Sequence, residues 1–370
     1  MRIGIDARLL AYQRGGISTY IRRLVEQFGR IAPEHQVLAL KSRKQDDGSL
    51  PAGAVQWHPL WTPPHHQLEQ LALPLELLPL ALEVLHSPDF IPPFFRRCAS
   101  VITVHDLSAH LFPETKTVDA LRYYGQTERA ARSAEAIIAV SETTRRDLER
   151  ILGVPQQRVD VIHHGVDEKY RPIDDKNAIA SFCTSKGLPD SFMLWVGSLE
   201  PRKNLACLFE ALAAVGGKLP RGRQSLILVG PMGWRFEETQ KVYEKLGLQD
   251  RVIFYGPAQE EELVLLYNAA WAFVFPSIYE GFGMPPLEAM ACGTPVLAAA
   301  TPALEEVLGK AALFFDPHQP DQLAEQLLRL ASDAQLIAEL RAAGVEQARG
   351  FRWEDAARQT LAVYRKAAGR

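Results

Sequence analysis

SFMLWVGSLEPRKNLACLFEALAAV, residues 191–215, is the stretch on which the fold turns. Its first part, Phe192–Val196, is a continuous apolar run ending at Gly197, the pattern of a strand buried on both faces. A polar loop, GSLEPRKN, follows at 197–204, and LACLFEALAAV at 205–215 then reads as a helix. Outward from this unit the same short apolar runs recur as SLILVG at 225–230, RVIFYG at 251–256, AFVFPS at 272–277, TPVLAA at 294–299 and ALFFDP at 312–317. Strands that alternate with helix-length segments predict a doubly wound parallel sheet. Three of the runs enter Gly at their carboxyl ends, where open α/β sheets bind ligands and backbones approach closely.

The first half has the same rhythm, with RIGID at 2–6, HQVLAL at 35–40, SVITVHD at 100–106 and EAIIAVS at 135–141. It breaks near 165–190, where GVDEKYRPIDD is polar and lacks periodicity, so a linker is expected there. At 370 residues the chain exceeds one ordinary core, and roughly 100–200 residues per domain predicts two. The expected division is 1–170 against 171–350, with a final helix at 351–370 returning to the first domain. Trp353, Ala356, Ala357, Leu361 and Tyr364 give that helix an apolar face that must pack on something.

Composition narrows the function classes. Hydrophobic residues at 47% and charged residues at 23% suit a folded globular chain, and a net charge of -3 argues against a dedicated nucleic-acid binder. The four cysteines form no C-x-x-C pair, so neither a disulfide framework nor a zinc knuckle is expected, and a reducing cytoplasm is the simplest home. MRIGIDARLL reads as a strand from Ile3, which leaves no room for a signal peptide. The most apolar stretch, 71–85, is shorter than the roughly 20 residues a bilayer span needs and carries Glu76, Glu83 and two prolines.

Several segments place reactive side chains at strand ends. Gly15 and Gly16 precede a helix expected near Ile17 or Ser18, where backbone N–H groups approach an anion; an ordinary turn uses glycines equally well. Arg202 and Lys203 follow a strand and precede a helix, placing two cations where they neutralise a diphosphate; the alternative is a solvated pair on a loop. YEGFGMPPLEAMACG at 279–293 sets Glu280 and Glu288 eight positions apart around Gly281, Phe282 and Gly283. The prolines suit a helix start and Gly293 its end, so Glu288 is expected in the first helical turn, positioned to accept hydrogen bonds from a ribose diol, with Glu280 in the same pocket. Carboxylates that merely decorate a helix start would leave the glycines unexplained. His105 and Asp106 close the strand SVITVHD, and a structural histidine is the plain alternative. His65-His66 and His163-His164 lack the i, i+4 spacing that aims two imidazoles at one metal, and no metal site is expected. Asp-x-Asp, Walker A, G-x-S-x-G and G-x-G-x-x-G sequences are all missing from the chain.

Taken together, the Gly15-Gly16 loop, VHD around His105, SETTRRDL at 141–148, VIHHGVD at 161–167, GSLEPRKN and EGFGMPPLE resemble the retaining group-1 glycosyltransferases of GT-B fold, particularly bacterial mannosyltransferase-like members that build polysaccharide and lipopolysaccharide. The resemblance spans nearly the whole chain, and Glu-x7-Glu is its most specific element. It implies two Rossmann-like domains facing across a cleft and a nucleotide-sugar donor, GDP-mannose foremost, with UDP-glucose or UDP-N-acetylglucosamine as alternatives. No cofactor and no metal are implied, and the acceptor is a saccharide or lipid-linked saccharide. Arg202 and Lys203 would bind the diphosphate next to Gly197, Glu288 the ribose, and Glu280 the transferred sugar, while His105 would contact that sugar near the reacting carbon. Peripheral membrane contact through Trp57, Trp61, Phe94, Phe95, Arg96 and Arg97 is a further expectation that retention on anionic vesicles at low salt reads; interior packing is its alternative. A non-hydrolysing sugar-nucleotide epimerase, which would rearrange donor without transfer, and a non-catalytic binding protein are the rival readings.

Overall fold

The computed structural model describes residues 1–12, 15–45, 55–220, 222–233 and 235–369. Its chain packs into two compact units, Met1–Gly165 with Arg352–Arg370, and Val166–Phe351. The division falls five residues before the expected one. Val166 N–H donates to Phe351 O at 2.9 Å, and the Tyr170 ring meets Tyr267 edge-on at 5.7 Å, which binds both ends of the second unit into its own body.

The first unit holds a seven-stranded parallel sheet of β1 (Arg2–Asp6), β2 (Gln36–Ser42), β3 (Gln56–Leu60), β4 (Val84–Ser87), β5 (Ala99–Val104), β6 (Ala136–Ala139) and β7 (Val159–Val161), in the order β3-β2-β1-β4-β5-β6-β7. Ile3 and Ile5 of β1 are buried because helices cover the sheet. The helix Gly16–Ile31 supplies Tyr20, Leu24 and Phe28, one apolar stripe at four-residue spacing. The last helix, Trp353–Ala367, buries Trp353, Ala356, Ala357, Leu361 and Tyr364 against that helix and against β5 and β6. At Gly165 the chain runs so close to this helix that a Cβ would lie 2.2 Å from Trp353 N.

Three strands of the first unit escape the sequence reading. β4 is four residues, VLHS, buried throughout although two of them are polar, and β7 is only three residues long. β3, QWHPL, is an edge strand containing proline, which edges tolerate.

The second unit holds six parallel strands, β8 (Met193–Val196), β9 (Leu226–Val229), β10 (Val252–Gly256), β11 (Ala272–Phe275), β12 (Val296–Ala299) and β13 (Ala312–Phe315), in the order β10-β9-β8-β11-β12-β13. All six expected runs are strands. Part of the expected linker is instead a helix, Lys176–Ser185, started by Asp175, whose carboxylate accepts from the N–H groups of Asn177 and Ala178.

Candidate functional site

In the second unit the strand order reverses between β8 and β11, the switch point at which open α/β sheets leave a crevice outside their carboxyl ends. The residues singled out in GSLEPRKN and YEGFG follow these two strands. Gly197 leaves β8, and its carbonyl lies so near Gly230 that a Cβ there would sit 1.8 Å away, with Gly230 at φ 141°. Pro201–Lys203 then forms a single 3-10 turn closed by Asn204 in the left-handed region, φ 55°. The Asn204 side-chain amide donates to Pro276 O at 3.2 Å and Pro317 O at 2.8 Å, tying this turn to the loops after β11 and β13. Asn is among the residues best suited to that conformation.

Arg202, Lys203 and Glu280 thereby meet although 77 residues separate Lys203 from Glu280. Lys203 Nζ donates to Glu280 Oε1 at 2.6 Å and lies 5.2 Å from the centroid of the Phe275 ring. Arg202 donates to Tyr279 O at 2.7 Å and to Glu200 Oε1 at 2.8 Å, and approaches Glu280 Oε2 at 3.2 Å. All three are buried, with 8–9% of their surface exposed. Burial draws the Lys203 ammonium below its ordinary range against the pull of Glu280. Burial raises the Glu280 carboxyl, but the charges of Lys203 and Arg202 win and hold it below the usual range. Two cations face two carboxylates here, so the buried cluster is formally neutral.

EGFGMPPLE departs from expectation in two respects. Gly283, at φ 101°, precedes the helix Met284–Ala291, and a Cβ on it would come within 2.6 Å of Leu304 Cδ2. Phe282 is buried and meets Phe351 edge-on at 5.8 Å, and Gly281 is also buried. Glu288 is the fifth residue of that helix and not in its first turn. Its carboxylate accepts from Tyr267 OH at 2.8 Å, whereas Glu280 engages Lys203, so the two glutamates belong to separate clusters. Burial pushes the Glu288 carboxyl up to about 7, against the hydrogen bond from Tyr267.

In the first unit Gly15 is the N-cap of the helix that starts at Gly16, earlier than expected. Its backbone is extended, no side chain caps the helix, and a Cβ on Gly15 would meet nothing within 4 Å. His105 follows β5 directly and is half-buried. Its Nε2 lies 2.9 Å from Pro88 O and must donate there, which leaves Nδ1 to accept from His164 Nε2 at 3.3 Å. Burial holds the imidazole below its ordinary pKa, so it is neutral near pH 7. Both ring nitrogens of His105 are thus engaged inside the unit.

Sequence reasoning passed over the residues that hold this histidine. His164 stacks on His105 at 5.3 Å, and Tyr20 meets His105 edge-on at 5.1 Å. Next to them, His86 pairs with Tyr364 OH at 2.6 Å and with Thr103 Oγ1 at 2.8 Å, so the last helix is bonded to the sheet centre. The HH pair at 163–164 was the available signal, as the partner of another histidine. No group of three or more His, Cys, Asp or Glu arranged for a metal occurs among the described residues. Of the side chains considered for membrane contact, Trp61 and Phe95 are exposed, with Arg43 lying over the Trp61 ring, while Phe94 is covered by Arg129. No described helix is long and apolar enough to cross a membrane.

Two parallel α/β units, each with a reversal in strand order, define a GT-B fold, and solved structures agree. Sucrose-phosphate synthase from Thermosynechococcus elongatus superposes with a TM-score of 0.79 at 22% identity, over 99% of this chain and 98% of that one. Residues 183–351 match the family described as glycosyl transferases group 1, and residues 14–170 match Glycosyltransferase Family 4. The O-antigen chain mannosyltransferase B of Escherichia coli is 32% identical over 283 residues, 76% of this chain and 74% of the relative. A D-inositol 3-phosphate glycosyltransferase of Nocardioides sp. (strain ATCC BAA-499 / JS614) is 34% identical over 265 residues, 67% of this chain and 57% of the relative. The chain belongs to the group 1 glycosyltransferases and is a glycosyltransferase.

Proposed function

We propose that this protein transfers a hexose from a nucleotide sugar to a saccharide or lipid-linked saccharide, with retention of anomeric configuration and without a metal ion, and that the donor is GDP-mannose. The buried Arg202–Lys203–Glu280 cluster at the β8/β11 switch point carries the reading. A donor diphosphate displaces carboxylate partners from the two cations, which then stabilise negative charge growing on the leaving group. Glu280, released in part, accepts from hydroxyls of the transferred sugar, and Glu288 accepts from the ribose. His105, neutral and with both nitrogens engaged, contacts the sugar without moving a proton. Retention then proceeds by front-face attack of the acceptor hydroxyl. Mannose and a polysaccharide product are supported by the name of the Escherichia coli relative.

A thermal-shift panel of GDP-, UDP- and ADP-sugars, with and without EDTA, tests this. Ligand at 100 times its Kd should stabilise by about 2.7 kcal/mol. GDP-mannose is expected to do so equally in EDTA; stabilisation by UDP-sugars alone reassigns the donor, and no response to any nucleotide sugar removes the donor site.

Glu288 predicts a pH dependence. Its carboxyl titrates near 4.5 when unfolded and at about 7 when folded, so between those values the folded chain keeps a proton that the unfolded chain has lost. Stability therefore declines as pH rises through that window. Ribose recognition needs the ionised acceptor, so donor affinity is expected to rise from pH 6 to 8. Glu288→Gln should flatten both trends, read by melting and by nucleotide titration across that range. An unchanged slope in either measurement counts against the assignment.

A further inference from the structure

Between β3 and β4 the chain forms the helix Glu69–Leu77, continued by a 3-10 turn at Leu78–Leu80. One side of it fills the core, where Leu73, Leu77 and Leu80 pack with Leu38, Leu40, Leu60 and Leu85. A helix that covers a sheet ordinarily turns a polar side to water. Here the outer side is apolar as well. Leu68, Leu71, Leu75 and Leu78 are 57%, 66%, 72% and 52% exposed, and at about 100° per residue they fall in one stripe roughly 80° wide. Both carboxylates of the helix turn away from this stripe. Glu69 is buried against Arg8, and Glu76 accepts from the N–H groups of Trp61 and Thr62 at 2.6 and 2.9 Å. That contact seats Trp61, 76% exposed, on one flank of the helix. On the opposite flank Gln70 Oε1 accepts from Phe94 N–H at 3.0 Å, which places the segment carrying Phe95, 72% exposed.

A helix that is apolar all round is stable when something covers it, and a monomer rarely leaves more than a few hundred Å2 of contiguous apolar surface in water. At these exposures the six side chains leave on the order of 800 Å2 open, about what each partner buries in an interface of standard size. Spacing and charge indicate the occupant. Leu68, Leu71, Leu75 and Leu78 follow one another at intervals of three, four and three residues, the a and d positions of a heptad, which interlock with the same positions of another helix. A helix that lies on a bilayer carries Lys and Arg beside its apolar face, and residues 67–82 contain neither. Of the neighbouring arginines, Arg43 lies on the Trp61 ring at 3.4 Å and Arg96 is bonded to Pro93 O and Ser133 O, while Arg97 is a single exposed cation. We propose that this face joins two copies of the chain in a two-fold symmetric dimer. The two helices pack antiparallel, leucine stripe on leucine stripe, so that Leu71 meets the partner's Leu75, and Trp61 and Phe95 close the rim. The surface contains none of Arg202, Lys203 and Glu280, and the proposal stands apart from the transferase reading.

Sedimentation velocity on the full chain, without detergent, tests it. Interfaces of this area hold with micromolar or tighter Kd, so at about 50 μM the native chain is expected to sediment with the mass of two chains. Leu71→Glu and Leu75→Glu each bring two carboxylates into the seam and are expected to weaken association by about 100-fold or more. Both positions face solvent, so far-UV circular dichroism should not change, and Leu71→Met, which keeps the seam apolar, should remain dimeric. A native chain that sediments singly at that concentration overturns the proposal, as does a dimer that both glutamate variants leave intact. A single chain that floats with phosphatidylglycerol vesicles, and no longer does so as Leu71→Glu, also overturns it and gives the face to the bilayer.

Discussion

Lys203→Ala is expected to lower kcat for sugar transfer by about 10²–10³-fold, the usual loss when one preorganised partner of developing negative charge is removed. Donor KM should change far less. The ammonium is buried against Glu280 at 2.6 Å, so in the resting protein its charge is already compensated, and a bound ground-state diphosphate gains only the difference between two anionic partners. In the transition state the leaving diphosphate carries more charge than in the ground state, and the full strength of a desolvated cation is then used. Arg202→Ala should behave alike, with a larger share of its loss structural because Arg202 also holds Tyr279 O and Glu200. Steady-state kinetics with saturating acceptor reads the split. A rise in KM at constant kcat would show that Lys203 binds the donor uniformly and does not act on the leaving group.

Glu280→Ala should destabilise the second unit by about 3–5 kcal/mol, since removing one partner strands buried opposite charge. In a unit of this size that is a fall of about 6–20 °C in melting temperature. Arg202 keeps Glu200, so Lys203 takes most of the loss. GDP or UDP should restore more stability to the variant than to the native chain, because their diphosphate supplies the missing negative charge. Transfer is expected to remain poor even in the restored variant, because no carboxylate is left for the sugar hydroxyls. Differential scanning calorimetry with and without nucleotide gives both numbers. Equal melting of variant and native chain would mean that the ion pair compensates nothing, and equal nucleotide shifts would place the diphosphate elsewhere.

The six strands of the second unit could be read directly because each is a run of apolar residues, the sequence of a strand covered on both faces. The same rule hid β4. VLHS is as deeply buried, but His86 and Ser87 break the apolar run, and what makes a histidine acceptable there is a pair of hydrogen bonds to Thr103 and Tyr364, the latter 278 residues away. The missed strand is one wall of a pocket in the first unit, which is why Asp6, Arg8, Glu69 and Asp89 drew no attention in the sequence. For Glu288, proline and glycine correctly signalled a helix, but its start at Met284 moves the carboxylate beyond the first turn and toward Tyr267.

Local sequence by itself determined that the chain forms two parallel α/β units and that Arg202, Lys203 and Glu280 stand at strand ends, because hydrophobic periodicity and loop composition are properties of adjacent residues. Only the tertiary structure decided that β8 lies beside β11, which turns two separate loops into one buried ion-pair cluster, and that β1 lies beside β4, which gathers the carboxylates of the first unit around Ser87. Strand order is set by which helices and sheet faces pack together, an energy summed over contacts distant in sequence, and no single segment carries it.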